Sequence, residues 1–164
     1  MPADIDETAL SEESPSYYVL RLAEQKALAI ALKLNGQHAN MPILAADTTV
    51  ALENEIFGKP KNQADAFNML KKLSNSTHQV LTAIALVFNG KFETALNTSL
   101  VTIMPLSDAM INAYIATNET MDKAGSYAIQ GLAGSWVVRM EGSYTGVMGL
   151  PVHETAMLLE KNCG

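Results

Sequence analysis

Two long apolar segments joined by Asn89-Gly90 set the strongest limit on the architecture of this chain. Asn-Gly is the preferred dipeptide of a two-residue type I′ turn, whose backbone twist matches that of antiparallel strands. The flanking segments, residues 79–88 and 91–104, are rich in β-branched and other apolar residues. The sequence therefore predicts a long antiparallel hairpin.

Helix signals alternate with further strand signals along the rest of the chain. Ser14-Pro15 has serine at an N-cap and proline at the first helical position, and Gly36 is the predicted stop of that helix. Asn62 is the predicted cap of a second helix. The predicted helices cover residues 15–34, 62–73, 107–117 and 151–160, and the further strands cover residues 43–52, 127–130 and 135–140. This alternation predicts an α/β fold with a mixed β-sheet and flanking helices.

Composition limits the class of protein and the kind of partner. The 164 residues are 48% hydrophobic and 17% charged, which is too apolar for disorder and enough for one domain over residues 1–164. The net charge of −6 argues against general nucleic-acid binding. Cys163 is the only cysteine, so no disulfide can form within the chain. With no signal peptide or long apolar run, we expect a cytoplasmic protein without a membrane partner.

Asp47 is the residue whose position most strongly suggests chemistry. It follows the apolar run 43–46, so a carboxylate lies where a buried strand reaches its loop or an active edge. A carboxylate in such a place has to be paired, hydrogen-bonded or bound to a metal ion. Two interpretations stay open: a functional acid, and an aspartate that accepts hydrogen bonds from nearby backbone amides.

Lys59 is a candidate for a phosphate contact, whereas the spacing alone does not make Lys26 a ligand. Lys59 lies in the rigid loop Gly58-Lys59-Pro60, about a dozen residues after Asp47, and a hairpin would bring it back towards that carboxylate. Lys26 shares a helix stripe with Leu22 and Ile30. Each has a simpler interpretation as well: Lys59 as a solvated turn residue, and Lys26 as a side chain that covers apolar surface with its amine in water.

Residues 122–131 are dense in glycine and polar side chains between two predicted elements. Glycine lets the backbone approach a ligand closely, and Gln130 can both donate to and accept from the edge of a base. The simpler interpretation is a loop with an ordinary Asp122–Lys123 pair. The histidines, residues 38, 78 and 153, lack metal-ligand spacing and are expected to be structural or exposed.

A series of short motifs runs along the chain in a recognisable order. They include Asp4-Ile5-Asp6-Glu7, Arg21-Leu22-Ala23 with Lys26-Ala27, Ala46-Asp47-Thr48, Gly58-Lys59-Pro60, Thr77-His78-Gln79-Val80, Asp122-Lys123-Ala124-Gly125, Ile129-Gln130-Gly131, Gly142-Ser143-Tyr144 and Gly149-Leu150-Pro151. Their order resembles that of the Maf family across nearly the whole chain. The resemblance implies an elongated α/β fold, related to the inosine-triphosphatase-like pyrophosphatases, with a central cleft between two lobes.

The same resemblance implies a chemistry and the residues that carry it. It implies cleavage of a nucleoside triphosphate to the monophosphate and pyrophosphate, with a divalent metal, Mg²⁺ or Mn²⁺, as cofactor. Asp47 matches the proposed catalytic base of the family, and Lys26 and Lys59 match lysines of the same catalytic site. Asp47 and Glu7 are the expected metal ligands, since Mg²⁺ prefers oxygen. The implied substrate-binding residues are Thr48, Gln130 and Lys123, of which Thr48 and Gln130 are associated with base selectivity.

The start of the chain departs from the family pattern. Family members normally begin with a strand and a Ser-x-Ser-Pro-Arg-Arg loop well before the motif at residues 4–7, and no Ser-Pro-Arg-Arg occurs in this sequence. We therefore expect that strand and its phosphate-binding arginines to be missing, which leaves a sheet edge unpaired. A mis-set start codon, an expression truncation and a degenerate paralogue all remain open.

Three functional hypotheses follow from the resemblance. Residues 122–125 and 129–131 are similar to the branch of the family that hydrolyses dTTP and UTP, which makes such a pyrophosphatase the leading hypothesis. The second is a catalytically weak or inactive relative that regulates septum formation through a partner protein. The third is an enzyme for modified pyrimidine nucleotides, because Ala128, Leu132 and Ala133 lie beside Gln130. Family analogy alone suggests a homodimer.

Overall fold

Five strands form one sheet in the computed structural model, which describes residues 1, 3–34 and 41–163. In the order β2-β1-β3-β4-β5, they are β1 (Ile43–Leu52), β2 (Glu55–Phe57), β3 (Thr77–Phe88), β4 (Lys91–Ile103) and β5 (Val137–Glu141). The predicted α/β class is confirmed. All four strand pairings among the described residues are antiparallel, rather than mixed as expected. Short hairpins join β1 to β2 and β3 to β4, and a hairpin allows only antiparallel pairing.

The β3–β4 hairpin is the longest pairing in the sheet and turns at the predicted residues. Asn89 and Gly90 both have positive φ, 49° and 73°, as a type I′ turn requires. The register runs without interruption from Phe88 opposite Lys91 to Thr77 opposite Thr102. The predicted strand limits are confirmed to within two residues, because turn residue and apolar pattern are both local signals.

In the described part of the chain, five α-helices flank the sheet: α1 (Pro15–Leu34), α2 (Gln63–Leu73), α3 (Asp108–Ile115), α4 (Tyr144–Val147) and α5 (Val152–Cys163). The predicted caps are present: Ser14 Oγ accepts from the amide of Tyr17 at 3.4 Å, and Asn62 Oδ1 accepts from that of Asp65 at 2.9 Å. The predicted stop at Gly36 lies outside the described residues, and the short α4 was not predicted. No helix in the described part of the chain combines the length and hydrophobicity that a membrane crossing needs.

The predicted strand over residues 127–130 is wrong. Gly125 and Ser126 both adopt positive φ, 67° and 64°, which ends any extended backbone before Tyr127. Gly131 then donates to the carbonyl of Ala128 at 3.1 Å, so the segment closes as a turn. The strand predicted at residues 135–140 begins only at Val137, because Leu132–Trp136 forms a 3₁₀ helix.

Different residues form the core on the two faces of the sheet. The core on each face shows which face each side chain of β1 points to. α1 covers one face, where its Val19, Ala23 and Ala27 pack on small residues of β1 and β3 such as Ala51. The other face packs against α2, α3 and α5. Since alternate side chains of a strand point to opposite faces, Asp47 shares the face of Ala51 towards α1, and Thr48 shares the opposite face.

Candidate functional site

Asp47 and Thr48 lie on opposite faces of β1 and line the same cavity of about 290 Å³. β2 pairs with β1 only at residues 50–52, whereas β3 pairs with residues 43–51. Within the described residues, the edge of β1 at residues 43–49 therefore has no strand beside it. Because residues from both faces line the cavity, it extends around this open edge.

The cavity brings together every residue that the sequence analysis proposed for the site. They are Glu7, Lys26, Asp47, Thr48, Lys59, Lys123 and Gln130. They come from the N-terminal segment, from α1, from β1, from the loop after β2 and from the segment between α3 and β5. Tertiary packing, rather than closeness in the chain, therefore builds the site. The functional roles of these residues stay predictions.

Lys26 links the two acidic residues of the site. Its Nζ lies 2.5 Å from Asp47 Oδ1 and 2.7 Å from Glu7 Oε1, and its side chain is 19% exposed. The amine therefore faces the cavity instead of extending into water, which was the simpler interpretation of this residue. Lys59 Nζ lies 3.3 Å from Glu7 Oε2. The result is a row of alternating charges: Asp47, Lys26, Glu7 and Lys59.

The two carboxylates of this row respond oppositely to their surroundings. Burial raises the pKa of Asp47, and hydrogen bonding and charge from Lys26 offset that rise only in part. Burial also opposes ionisation of Glu7, but Lys26 and Lys59 outweigh it and hold the pKa of Glu7 below its usual range. The side chain of Asp47 is 9% exposed and that of Glu7 is 36% exposed, and desolvation prevails over the ion pairs at Asp47 but not at Glu7.

Burial works against the charged form of Lys26 as well, but the hydrogen bonds to Asp47 and then Glu7 prevail and raise the pKa of Lys26. The ammonium is therefore retained at neutral pH. A permanent cation between two carboxylates keeps both of them oriented towards the cavity.

Tyr18 is a cavity residue that the sequence analysis did not identify. Its hydroxyl donates to the backbone carbonyl of Glu7 at 2.9 Å and so anchors the segment that carries this carboxylate. Arg21 assists by donating to the carbonyl of Thr8 at 3.1 Å. Tyr18 lies two helical turns before Lys26 and thus on the same stripe of α1, a spacing that was available as a signal.

The loops that carry Lys59 and Lys123 are joined by a backbone hydrogen bond. The amide of Gly125 donates to the carbonyl of Gly58 at 3.1 Å. Gly125 has a φ of +67°, and a Cβ at this position would lie 3.0 Å from Val50 Cβ. The close approach to β1 therefore requires glycine. Lys123 Nζ contacts its neighbour Asp122 at 2.7 Å in an exposed pair that lines the cavity.

Thr48 takes part in a row of hydroxyl and carbonyl oxygens that the sequence analysis also missed. Thr48 Oγ1 lies 2.8 Å from Thr82 Oγ1, and Thr82 Oγ1 donates to the carbonyl of Gly146 at 2.7 Å. Only the strand register, which pairs Thr48 with Thr82, reveals this contact. Gln130, the other predicted base-selecting residue, is exposed at the same cavity.

The carboxylates of Asp47 and Glu7 fit a divalent metal that arrives with phosphate. Mg²⁺ at nucleotide sites is commonly bound by one or two carboxylates together with substrate phosphates, and it keeps several waters. Across residues 1, 3–34 and 41–163, no cluster of three or more His, Cys, Asp or Glu side chains could hold a metal ion. Asp47 and Glu7 are therefore the residues of the predicted set that could hold a metal ion together with substrate phosphates, and this role stays a prediction.

The histidines that the structure describes lie outside this donor set. His78 is buried, its Nε2 lies 2.7 Å from Tyr127 Oη, and burial lowers its pKa to about 4. His153 is exposed on α5. The prediction that these histidines are structural or exposed is confirmed for His78 and His153, whereas His38 lies outside the described residues.

Comparison with known proteins gives consistent similarities along the chain. Residues 1–162 match the family described as Maf-like protein. A dTTP/UTP pyrophosphatase of Nitrosomonas europaea is 48% identical over 161 residues, which cover 98% of this chain and 78% of that protein. A dTTP/UTP pyrophosphatase of a Shewanella species is 50% identical over 158 residues, 96% of this chain and 81% of the relative. A nucleoside triphosphate pyrophosphatase of Haemophilus ducreyi is 47% identical over 162 residues, 98% of this chain and 82% of the relative.

Proposed function

The chain belongs to the Maf family, and from this premise we propose that it is a nucleoside triphosphate pyrophosphatase that hydrolyses dTTP and UTP to the monophosphate and pyrophosphate. The names of its relatives support the reaction and the substrates. They give no support to the alternative, a septum regulator that acts through a partner protein. A cytoplasmic location and a homodimer remain proposals from the sequence.

The observation that carries the proposal is the row of alternating charges Asp47–Lys26–Glu7–Lys59 in one cavity. Hydrolysis of a triphosphate needs a base for the attacking water and positive charge for the phosphates. The row supplies a buried carboxylate at one end and an exposed ammonium at the other. A bound triphosphate would exchange the Glu7 contact of Lys59 for phosphate oxygens.

Asp47 is the proposed general base. It accepts a proton from the attacking water, whose oxygen bonds to phosphorus as the anhydride bond between the α- and β-phosphates breaks. Pyrophosphate leaves with the electron pair of that bond, and Lys26, Lys59 and Lys123 neutralise the growing charge on the phosphate oxygens. Asp47 and Glu7 would hold a divalent metal, Mg²⁺ or Mn²⁺, which supplies charge neutralisation and a lowered pKa of bound water.

Pyrophosphate release from dTTP, UTP, CTP and GTP with Mg²⁺ or Mn²⁺ tests the proposal. We expect selective release from dTTP and UTP, and a loss of roughly 10²- to 10⁴-fold in Asp47→Asn, because the variant has no base. Asp108→Asn is the matched control, since Asp108 is an exposed aspartate paired with Lys71 outside the cavity. No release from any nucleotide by a chain with a cooperative melting transition would contradict the proposal.

A further inference from the structure

Thr48, Thr82 and Gly146 form a row of three oxygen atoms on the sheet face opposite Asp47. Thr82 Oγ1 lies 2.8 Å from Thr48 Oγ1 and 2.7 Å from the carbonyl oxygen of Gly146. Thr82 is fully buried and lies directly opposite Thr48 in the β1–β3 register. Gly146 belongs to α4, which packs on β3. The row is therefore a fixed part of the protein interior that ends at the cavity.

The carbonyl of Gly146 sets the direction of the hydrogen bonds in this row. A carbonyl oxygen can only accept, so its contact with Thr82 uses the single hydroxyl hydrogen of Thr82. Thr82 Oγ1 must then accept from Thr48, whose own hydrogen is used in that bond. Thr48 is left with only lone pairs for a ligand. Its hydroxyl, which in isolation donates and accepts, acts here as an acceptor.

Thr48 lines the cavity and Thr82 does not. A Cβ added at Gly149 would lie 3.6 Å from Thr48 Oγ1, so a larger side chain there would cover the hydroxyl. Val50, Val80 and Val147 line the same cavity and provide apolar surface. A flat base can pack on such surface while its polar edge meets Thr48.

We propose that Thr82 is a positioning residue for base selection, an inference that rests on the nucleotide substrate proposed above. Uracil and thymine have an N3–H group that donates a hydrogen bond, whereas N3 of cytosine has a lone pair. Thr48 in its acceptor state stabilises the N3–H edge and repels the cytosine edge. The preference for uracil and thymine therefore depends on a buried threonine that does not touch the nucleotide.

The test measures equilibrium binding of the non-hydrolysable α,β-imido analogues of UTP and CTP to the whole chain by calorimetry. We expect the wild type to bind the UTP analogue more tightly. Thr82→Val keeps the side-chain shape but releases the hydrogen of Thr48, which can then donate to N3 of cytosine. The ratio of the two affinities should fall about tenfold, the equivalent of one hydrogen bond, mainly through tighter binding of the CTP analogue.

Two further variants separate the direction of the hydrogen bond from a general loss of packing. Thr82→Ser retains the hydroxyl and should retain the wild-type ratio. Thr77→Val removes another threonine hydroxyl of β3, which lies 2.8 Å from Thr102 Oγ1 outside the cavity, and should leave the ratio unchanged. If Thr82→Val does not fold, Thr48→Val takes its place in the test, because removal of the acceptor hydroxyl must lower the ratio of the two affinities even while Gln130 is retained.

An unchanged ratio of the two affinities in a folded Thr82→Val variant, or in Thr48→Val, overturns the inference. Binding preference without pyrophosphate release supports it and contradicts the proposed reaction. Pyrophosphate release together with equal affinity for both analogues contradicts the inference but agrees with the proposed pyrophosphatase function. A wild type that binds neither analogue contradicts both.

Discussion

Lys26 on α1 places its ammonium 2.5 Å from the carboxylate of Asp47 on β1, a residue 21 positions later in the chain. The contact joins the helix to the sheet at the cavity and is largely shielded from solvent. It therefore contributes to folding as well as to the proposed chemistry, and the two contributions can be measured separately.

Lys26→Met should destabilise the metal-free protein at neutral pH, because Asp47 and Glu7 would stay close together without a cation. We expect a loss of about 2 to 3 kcal/mol, less than a fully buried pair would lose, since Glu7 is 36% exposed. Burial already holds the pKa of Asp47 above its ordinary 3.8, and removal of Lys26 raises it further. The stability defect should therefore be largest at neutral pH and shrink as pH falls and the carboxylates become protonated.

Urea denaturation over a pH series in a chelator checks this expectation. The double variant Lys26→Met/Asp47→Asn should recover much of the loss, because the amide carries no charge. Lys72→Met is the control, since Lys72 pairs with Glu55 at an exposed position. A stability difference that does not vary with pH would exclude the electrostatic explanation.

Lys59→Met should impair substrate binding. Lys59 is the most exposed of the charges in the row, and its contact with Glu7 at 3.3 Å is long enough to be exchanged for phosphate. Loss of a charged hydrogen bond predicts a fall of roughly 10- to 100-fold in kcat/KM for UTP. Lys61→Met, in the same loop but outside the cavity, should have little effect. Equal effects of the two substitutions in steady-state kinetics would argue against a phosphate contact at Lys59.

Gly125→Ala should damage the site more than Gly90→Ala. Both glycines have positive φ, so both substitutions incur a backbone penalty of about 1 to 2 kcal/mol. At Gly125 the new Cβ would lie 3.0 Å from Val50, whereas at Gly90 no atom of the residues that the structure describes lies within 4 Å of it. We expect Gly125→Ala to displace the loop that carries Lys123 and to raise the KM for UTP. Thermal melting with UTP kinetics tests this, and an unchanged KM would show that the loop adapts.

Because His78 is buried, we expect the folded protein to lose stability in acid. Its folded pKa is about 4 because burial disfavours the charged ring, against an ordinary 6.5. Between these values the unfolded chain binds a proton that the folded chain does not, so stability falls as pH drops from 6.5 to 4. The difference corresponds to about 3 kcal/mol. Urea denaturation should show this fall in the wild type and a smaller one in His78→Gln, with exposed His153→Gln as control. If the free energy of unfolding varied with pH in the same way in wild type and His78→Gln, this explanation would be contradicted.

Local signals predicted some elements well and failed where distant contacts dominate. The caps at Ser14 and Asn62 depend on atoms within one turn, so their sequence signals were reliable. The strand prediction for residues 127–130 failed for two reasons. Tyr127 forms a hydrogen bond with His78 on β3, and Gly125 takes a left-handed conformation against β1. Neither His78 nor β1 belongs to the short stretch of sequence around Tyr127 from which the strand was predicted.

By itself, the sequence determined the hairpin at Asn89-Gly90, the main helices, the family and the set of candidate residues, because these depend on local backbone preferences or on motif order. Only the tertiary structure decided that Lys26 lies between Asp47 and Glu7, and that Thr82 leaves Thr48 as an acceptor. Those relationships depend on strand register and on helix packing across the sheet. Both are properties of residues far apart in the chain, and burial gives them their electrostatic strength.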